Sequence, residues 1–362
     1  MLLILLSYFL FNYFYMSLLV SILMIYFTLD LIYKKEPIIQ SANQIIKRDV
    51  KLSIIIPVFN EEENLINFMS SLFKNNLDNV DLIFVNDSST DNSLIILEEY
   101  KKIHKFKIIN IFKQKYVCDV LNFGIKHVSS NTSFVGVLNS DCTLSEDCID
   151  LVKNRLMNYN IESLNLNNSY YNNDNLVSYF ASCEKDFKNY LFTFKESSLN
   201  NGYFIKKELI DSWESITEDL NMNLKLKAKE IITYHDPNII IYDKLPNNFN
   251  KLMNQKFRWI YGDITNRIKF NTLNLFDIIV NIYFFTPLFS LITVVCNFKV
   301  SYILNFQCLV ILCESIILFK AKGFNFNFLI DSFIFGILQF TFQIYFYLRL
   351  LKLIILNEEI KW

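Results

Sequence analysis

Two short clusters of side chains carry the chemistry of this sequence. Glu218 and Asp219 stand side by side after Thr217, and Gln255, Arg258 and Trp259 follow within Gln255-Lys256-Phe257-Arg258-Trp259. Adjacent carboxylates at the start of a segment ordinarily form a helix cap and first turn, where they meet free backbone N–H groups. The second cluster adds another use for them. An amide, a guanidinium and an indole at i, i+3 and i+4 share one helix face. Such a face can hold an anion and stack against a ring. An acid able to take a proton, near a cation–aromatic platform bordering an apolar tract, points to group transfer onto a bulky polar acceptor.

Three further acids lie where a sheet would gather ligands. From Lys51 onward, near-continuous apolar runs at 52–59, 80–86, 106–112 and 133–139 read as buried strands. Amphipathic stretches at 61–74, 93–104 and 117–128 alternate with them as helices. That order predicts an α/β domain with a largely parallel sheet, in which ligands bind beyond the carboxyl ends of the strands. Asp87, Asp91 and Asp141 all fall at such ends. Residues 154–176 are rich in Asn and Tyr and read as an irregular excursion without a role. Residues 198–207 read as a turn into a strand with paired lysines, 231–243 as short strands, and 249–268 as a helix after the break at Pro246.

Apolar tracts flank this domain. Residues 1–33 carry one charged side chain, Asp30, and end at Lys34-Lys35, which suits a single membrane span rather than a cleaved signal peptide. Residues 278–298 are uncharged, 300–319 contain Glu314, and 328–348 contain Asp331. The expected organisation is an N-terminal transmembrane helix (1–33), a basic linker (34–50), an α/β domain (51–270) and a C-terminal transmembrane region of about three helices (276–356). Lys34, Lys35, Lys47 and Arg48 place the domain in the cytoplasm of an integral plasma-membrane protein.

Composition excludes several alternatives. A net charge of -1 over 362 residues leaves no electrostatic footprint for nucleic acid. The seven cysteines form no C-x-x-C and read as reduced thiols rather than zinc ligands or disulfides. The six glycines form neither G-x-G-x-x-G nor a P-loop, so any phosphate must be held by cations, a metal or helix ends.

These blocks together resemble a known family. Ser53-Ile54-Ile55-Ile56-Pro57-Val58-Phe59-Asn60-Glu61 and Val85-Asn86-Asp87-Ser88-Ser89-Thr90-Asp91 resemble the opening of family 2 glycosyltransferases. Thr217-Glu218-Asp219 and the Gln-x-x-Arg-Trp of Gln255, Arg258 and Trp259 resemble its membrane-embedded branch, which includes cellulose, hyaluronan, chitin and poly-N-acetylglucosamine synthases. The resemblance covers about residues 51–265 and implies a GT-A fold, a nucleotide-diphosphate sugar donor, Mg2+ or Mn2+, and inversion at the sugar. It implies donor contacts at Asp87, Asp91, Asn139, Gln255 and Arg258, a metal ligand at Asp141, a general base at Asp219 beside Glu218, and acceptor stacking on Trp259. Partners would be the nucleotide sugar, a glycan or lipid-linked acceptor, membrane lipid, and an accessory export or synthase subunit. The sequence departs from the family at Asn139, where Asp-x-Asp has its first carboxylate, at Val117, where a lysine is usual, and at Ser88, where glycine is usual. A growing polysaccharide is the expected acceptor. Single-sugar transfer to a lipid, as ceramide glucosyltransferases perform, is the alternative, and a non-catalytic sugar-nucleotide binder is a third reading.

Overall fold

The computed structural model describes residues 47–113, 115–172, 174–194 and 199–271. Eight strands form one sheet: β1 (Leu52–Val58), β2 (Val80–Asp87), β3 (Lys107–Ile111), β4 (Phe134–Val137), β5 (Cys142–Leu144), β6 (Ser163–Tyr170), β7 (Tyr203–Lys206) and β8 (Thr233–Asp243). Their order is β3-β2-β1-β4-β7-β6-β8-β5. The first four pair in parallel, whereas β7 runs antiparallel to both β4 and β6, and β5 antiparallel to β8. The helices are α1 (Glu62–Leu72), α2 (Ser93–Lys101), α3 (Val117–Gly124), α4 (Cys148–Asn158), α5 (Leu176–Phe194), α6 (Glu218–Ala228) and α7 (Phe249–Lys269).

Side-chain alternation along β1 explains the layers. Leu52, Ile54, Ile56 and Val58 enter one core with Leu65, Phe68 and Met69 of α1, Leu97 of α2, and Ile149 and Val152 of α4. Ile55 enters the other with Val120 and Leu121 of α3 and Met222 and Leu226 of α6. A strand covered on both faces needs apolar residues on both, which is why 52–59 reads as a near-continuous apolar run.

Three expectations change. Residues 154–176 are no irregular excursion: they contain the end of α4, all of β6 and the start of α5. The amides of β6 find partners on neighbouring segments, with Asn165 Oδ1 accepting the Asn200 N–H at 3.2 Å and Asn167 Nδ2–H donating to Pro237 O at 2.9 Å. In place of short strands over 231–243 there is one long strand, β8 (Thr233–Asp243), whose register against β6 jumps from Asp236 to Ile240 and so accommodates Pro237 at a bulge. The sheet is parallel in one half and mixed in the other.

The described residues fall into two compact units. One is Glu36–Asn248 with Arg258–Phe270 and holds the sheet; of the other, only Phe249–Phe257 and Asn271 are described. Arg48, in the predicted linker, donates to the carbonyls of Leu156 and Ile161 at 2.7 and 2.8 Å, and its guanidinium lies 4.8 Å from the centroid of the Phe134 ring. Among the described residues no helix is long and apolar enough to cross a membrane. The predicted spans at 1–33, 278–298, 300–319 and 328–348 lie outside the described residues.

Candidate active site

The turns after β1 and β2 are clasped together. Asn60 and Ser88 both take left-handed backbone (φ 53° and 55°), a conformation Asn tolerates better than Ser and glycine best of all. The usual glycine at position 88 therefore has a conformational reason. Thr90 N–H donates to Asn60 Oδ1 at 2.8 Å, and Asn60 N–H donates to Ser89 Oγ at 3.1 Å. Glu61 N–H donates to Ser93 Oγ at 2.8 Å. Asp91 accepts Glu62 N–H on one oxygen and Ser93 N–H on the other, each at 3.0 Å. Burial would raise its pKa, but these hydrogen bonds outweigh burial and lower it. Asp91 is thus an organiser of the turn.

Asp87 ends β2 almost fully buried, and both its oxygens accept the Lys115 N–H at 3.0 Å. Burial nevertheless pushes its carboxyl up, aided by the charge on Asp119 of α3 and opposed by Lys115. The next residue to Asp119, Cys118, has its thiol pushed up to about 11 by burial and by Asp119 and Glu218. The start of α3 therefore feels the charge of both Asp119, which acts on Asp87, and Glu218.

Asn139-Ser140-Asp141 follows β4. Asn139 N–H donates to Asn201 Oδ1 at 2.9 Å, and Ser140 Oγ–H donates to Pro57 O at 2.8 Å, which fixes the turn from both sides. Asp141 is pushed up to about 7 by burial first, then by the charges of Asp243 and Glu61. Asp243, at the end of β8, pairs in register with Cys142 and accepts from Asn201 Nδ2 at 2.6 Å, Asn168 Nδ2 at 3.2 Å and Lys185. Asp243, Asn201, Lys185 and Glu61 did not emerge from the sequence as site residues. Asp243 ends a strand as Asp87 does, and Gly202 (φ 75°) marks the turn that presents Asn201. Those were the available signals.

These residues fit a divalent cation held jointly with a ligand. Asp141 is half-buried in the field of two other acids, and a cation there would relieve electrostatic cost. Among the described residues no group of three His, Cys, Asp or Glu is arranged to hold a metal alone. Mg2+ habitually takes one or two carboxylates and completes its shell with phosphate and water, and Asp141 offers that kind of hard oxygen.

The acid pair opens α6. Glu218 and Asp219 occupy its first turn, and Asp219 Oδ1 accepts the Leu220 N–H at 2.7 Å. Burial and the Asp219 charge raise the Glu218 carboxyl, and Arg258 pulls it back. The segment leading into α6 is anchored from a distance. Asn122 of α3 donates Nδ2–H to Trp213 O at 2.7 Å and accepts the Trp213 N–H at 2.9 Å. Trp213 Nε1–H donates to the Tyr203 hydroxyl at 2.7 Å. Burial pushes that phenol far up, and the charges on Glu218 and Asp219 add to the effect. Arg258, exposed, and Trp259, half-buried, stand on α7. Gln255 is half-buried and lies within Phe249–Phe257, in the second unit.

A mixed α/β sheet with acids at the ends of β2 and β8 resembles the GT-A glycosyltransferase fold. Mannosyltransferase PcManGT from Pyrobaculum calidifontis, solved with GDP-Man and Mn2+, shares this fold with a TM-score of 0.58 over 90% of this chain and 94% of that one, at 10% identity. Glycosyl transferase family 2 matches residues 53–204, and Glycosyl transferase family group 2 matches residues 134–348. The chain belongs to glycosyl transferase family group 2 and is a family 2 glycosyltransferase.

Relatives narrow the neighbourhood. The poly-beta-1,6-N-acetyl-D-glucosamine synthase of Staphylococcus epidermidis is 24% identical over 226 residues, 58% of this chain and 54% of that protein. The minor teichoic acid biosynthesis protein GgaA of Bacillus subtilis is 31% identical over 105 residues, 28% of this chain and 23% of that one. At the synthase match, the chain spans about half the relative's length.

Proposed function

We propose that this glycosyltransferase moves a sugar from a UDP-sugar to a growing polysaccharide at a membrane surface, with inversion at the anomeric carbon. The observation that supports this most is that Glu218, the neighbour of Asp219 in the first turn of α6, feels the charge of Arg258 within one compact unit. Similarity to a poly-N-acetylglucosamine synthase supports the polymeric acceptor.

The acceptor hydroxyl oxygen attacks the anomeric carbon from the face opposite the diphosphate. The new C–O bond forms as the bond to the diphosphate oxygen breaks, and the nucleotide diphosphate leaves with that electron pair. Asp219 takes the hydroxyl proton. Glu218 shares the pair's electrostatics: burial and then the charge of Asp219 raise its carboxyl. Arg258 faces the diphosphate, where positive charge offsets the charge that develops on leaving. Trp259 stacks on the acceptor sugar. Asp87 reads the base end of the donor, its carboxylate aimed by the Lys115 N–H, while Asp91 shapes the loop between them. Asn139 contributes a neutral contact to the donor. Asp141 would hold Mg2+ or Mn2+, which when bound would supply Lewis-acid neutralisation of the diphosphate.

The test is to give full-length protein in membranes or detergent a panel of nucleotide-diphosphate sugars with divalent cation. Expected are release of UDP from one donor and a product growing by repeated sugar units. Addition of a single sugar to lipid would replace the polysaccharide acceptor. No nucleotide diphosphate release from any donor would overturn the reading.

A further inference from the structure

Thr217 stands at the N-cap of α6 without doing what a capping threonine does. A capping hydroxyl accepts an N–H from the following turn, and Thr217 makes no such bond. Its Oγ1 instead accepts Nδ2–H of Asn266, from α7, at 2.9 Å. The other end of the same amide is also engaged, since Asn266 Oδ1 accepts Nδ2–H of Asn221 at 2.9 Å. Thr217 and Asn221 lie four residues apart, joined by the Asn221 N–H to Thr217 O bond at 3.0 Å, so they stack on one face of α6. One side chain of α7 thus grips two successive turns of α6.

The contact is buried and close. Asn266 is 1% exposed, Asn221 0% and Thr217 6%. Hydrogen bonds in such surroundings are strong, and breaking one leaves a buried polar atom unmet. Gly262, one turn before Asn266, lets the helices approach: a Cβ there would sit 2.5 Å from Thr217 Cγ2 and 2.9 Å from Thr217 Cβ. Trp259, Gly262 and Asn266 fall at i, i+3 and i+7, on one face of α7. The face that meets Thr217 is therefore the face that carries the indole, with Arg258 beside it.

We propose that Asn266 is a positioning residue: through Thr217 and Asn221 it sets the first turn of α6, with Glu218 and Asp219, against the turns of α7 that carry Arg258 and Trp259. It touches no substrate. The proposal rests on the transferase reading above, in which those two helix segments act on the same reaction. It also gives Thr217 and Gly262 a purpose that neither acid-base nor phosphate chemistry supplies.

The experiment uses the full-length chain with Asn266→Leu, which removes both bonds at similar volume, and Thr217→Val, which removes one. Thr217→Ser keeps the hydroxyl. Turnover is expected to fall about tenfold or more in the first two with donor KM within about twofold, and to return to within about threefold in Thr217→Ser. Spin labels at Ala228 and Ile268, both exposed, read the helix spacing without turnover. The distance distribution should broaden in Asn266→Leu and stay narrow in Thr217→Ser. Unchanged turnover in Asn266→Leu overturns the proposal, and so does a fall in turnover with unchanged distances. A wild type that releases no nucleotide diphosphate from any donor defeats the transferase reading instead. The label distances then still decide the staple, with an unchanged distribution in Asn266→Leu overturning it.

Discussion

The two ends of the proposed site are organised over different sequence distances. On the donor side, the turns after β1 and β2 hold each other through side chains that lie within two short sequence blocks, Asn60 to Glu62 and Ser88 to Ser93. On the acid-pair side, α6 is placed by residues far away in the chain: Asn122 grips Trp213, and Asn266 grips Thr217. The proposed donor loops are held by bonds between blocks 29 to 32 positions apart, and the segment of the proposed base by bonds spanning 49 and 91 positions. Damage to the first should loosen binding, whereas damage to the second should slow chemistry.

The largest expected effect is at the base. Asp219→Asn keeps the shape and removes proton acceptance, so turnover should fall by ~10²–10⁴-fold while nucleotide-sugar binding persists. If Asp219 only caps the helix, Asn serves as well and turnover stays near normal. Titration calorimetry with donor, beside a rate assay, separates the two.

Next is Asp141→Ala. Loss of the one acid of Asn139-Ser140-Asp141 should cost ~10²-fold in turnover and remove the response to Mn2+. Full activity with unchanged Mn2+ dependence would contradict the metal assignment. Asn139→Asp, which restores a carboxylate, should tighten Mn2+ binding or leave it unaltered.

A paired comparison follows. Asn122→Ala breaks both bonds to Trp213 and should lower kcat about tenfold with little change in donor KM. Asp91→Ala uncaps two backbone N–H groups in the donor loops and should raise donor KM about tenfold or less with kcat nearly unchanged. If the two variants show the same kinetic signature, the division between the local and distant halves is wrong.

How much of this was legible follows the same division. Strands β1 and β2, and with them Asp87 and Asp91, announce themselves because apolar runs and turn residues sit side by side. Asp243 and Asn201 did not, because their part depends on β6, β8 and β5 meeting, and β6 has an Asn-rich sequence that looks like loop. Its polarity is intelligible only once Asn168 is seen to reach Asp243 and Asn165 to receive the Asn200 N–H. Asn122 carried no site signal of its own in the sequence. No local pattern pairs it with Trp213 or Thr217 with Asn266, since helix-to-helix side-chain bonds leave no periodic trace.

The smallest effect concerns Glu214, which joins the acid-pair side to both helices through Lys225 of α6 and Lys269 of α7. Hydrogen bonds from those lysines lower its carboxyl to about 2. A depressed acid adds stability above its unfolded pKa and loses it as pH falls through the folded value. Glu214→Gln should therefore lower the melting midpoint at pH 7 by about 2 °C, a small shift because Glu214 is 40% exposed and screened. The difference should vanish as pH falls toward 2. An equal deficit at pH 7 and pH 2 would contradict the ion-pair account.

The central claim is that Glu218-Asp219 and Arg258-Trp259 form one site. It is tested most directly by a double-mutant cycle on kcat/KM with Asp219→Asn, Arg258→Gln and the two combined. Groups acting on one transition state are strongly non-additive. The account predicts a combined loss well below the product of the single losses. A combined loss equal to that product would show two independent contributions and contradict it.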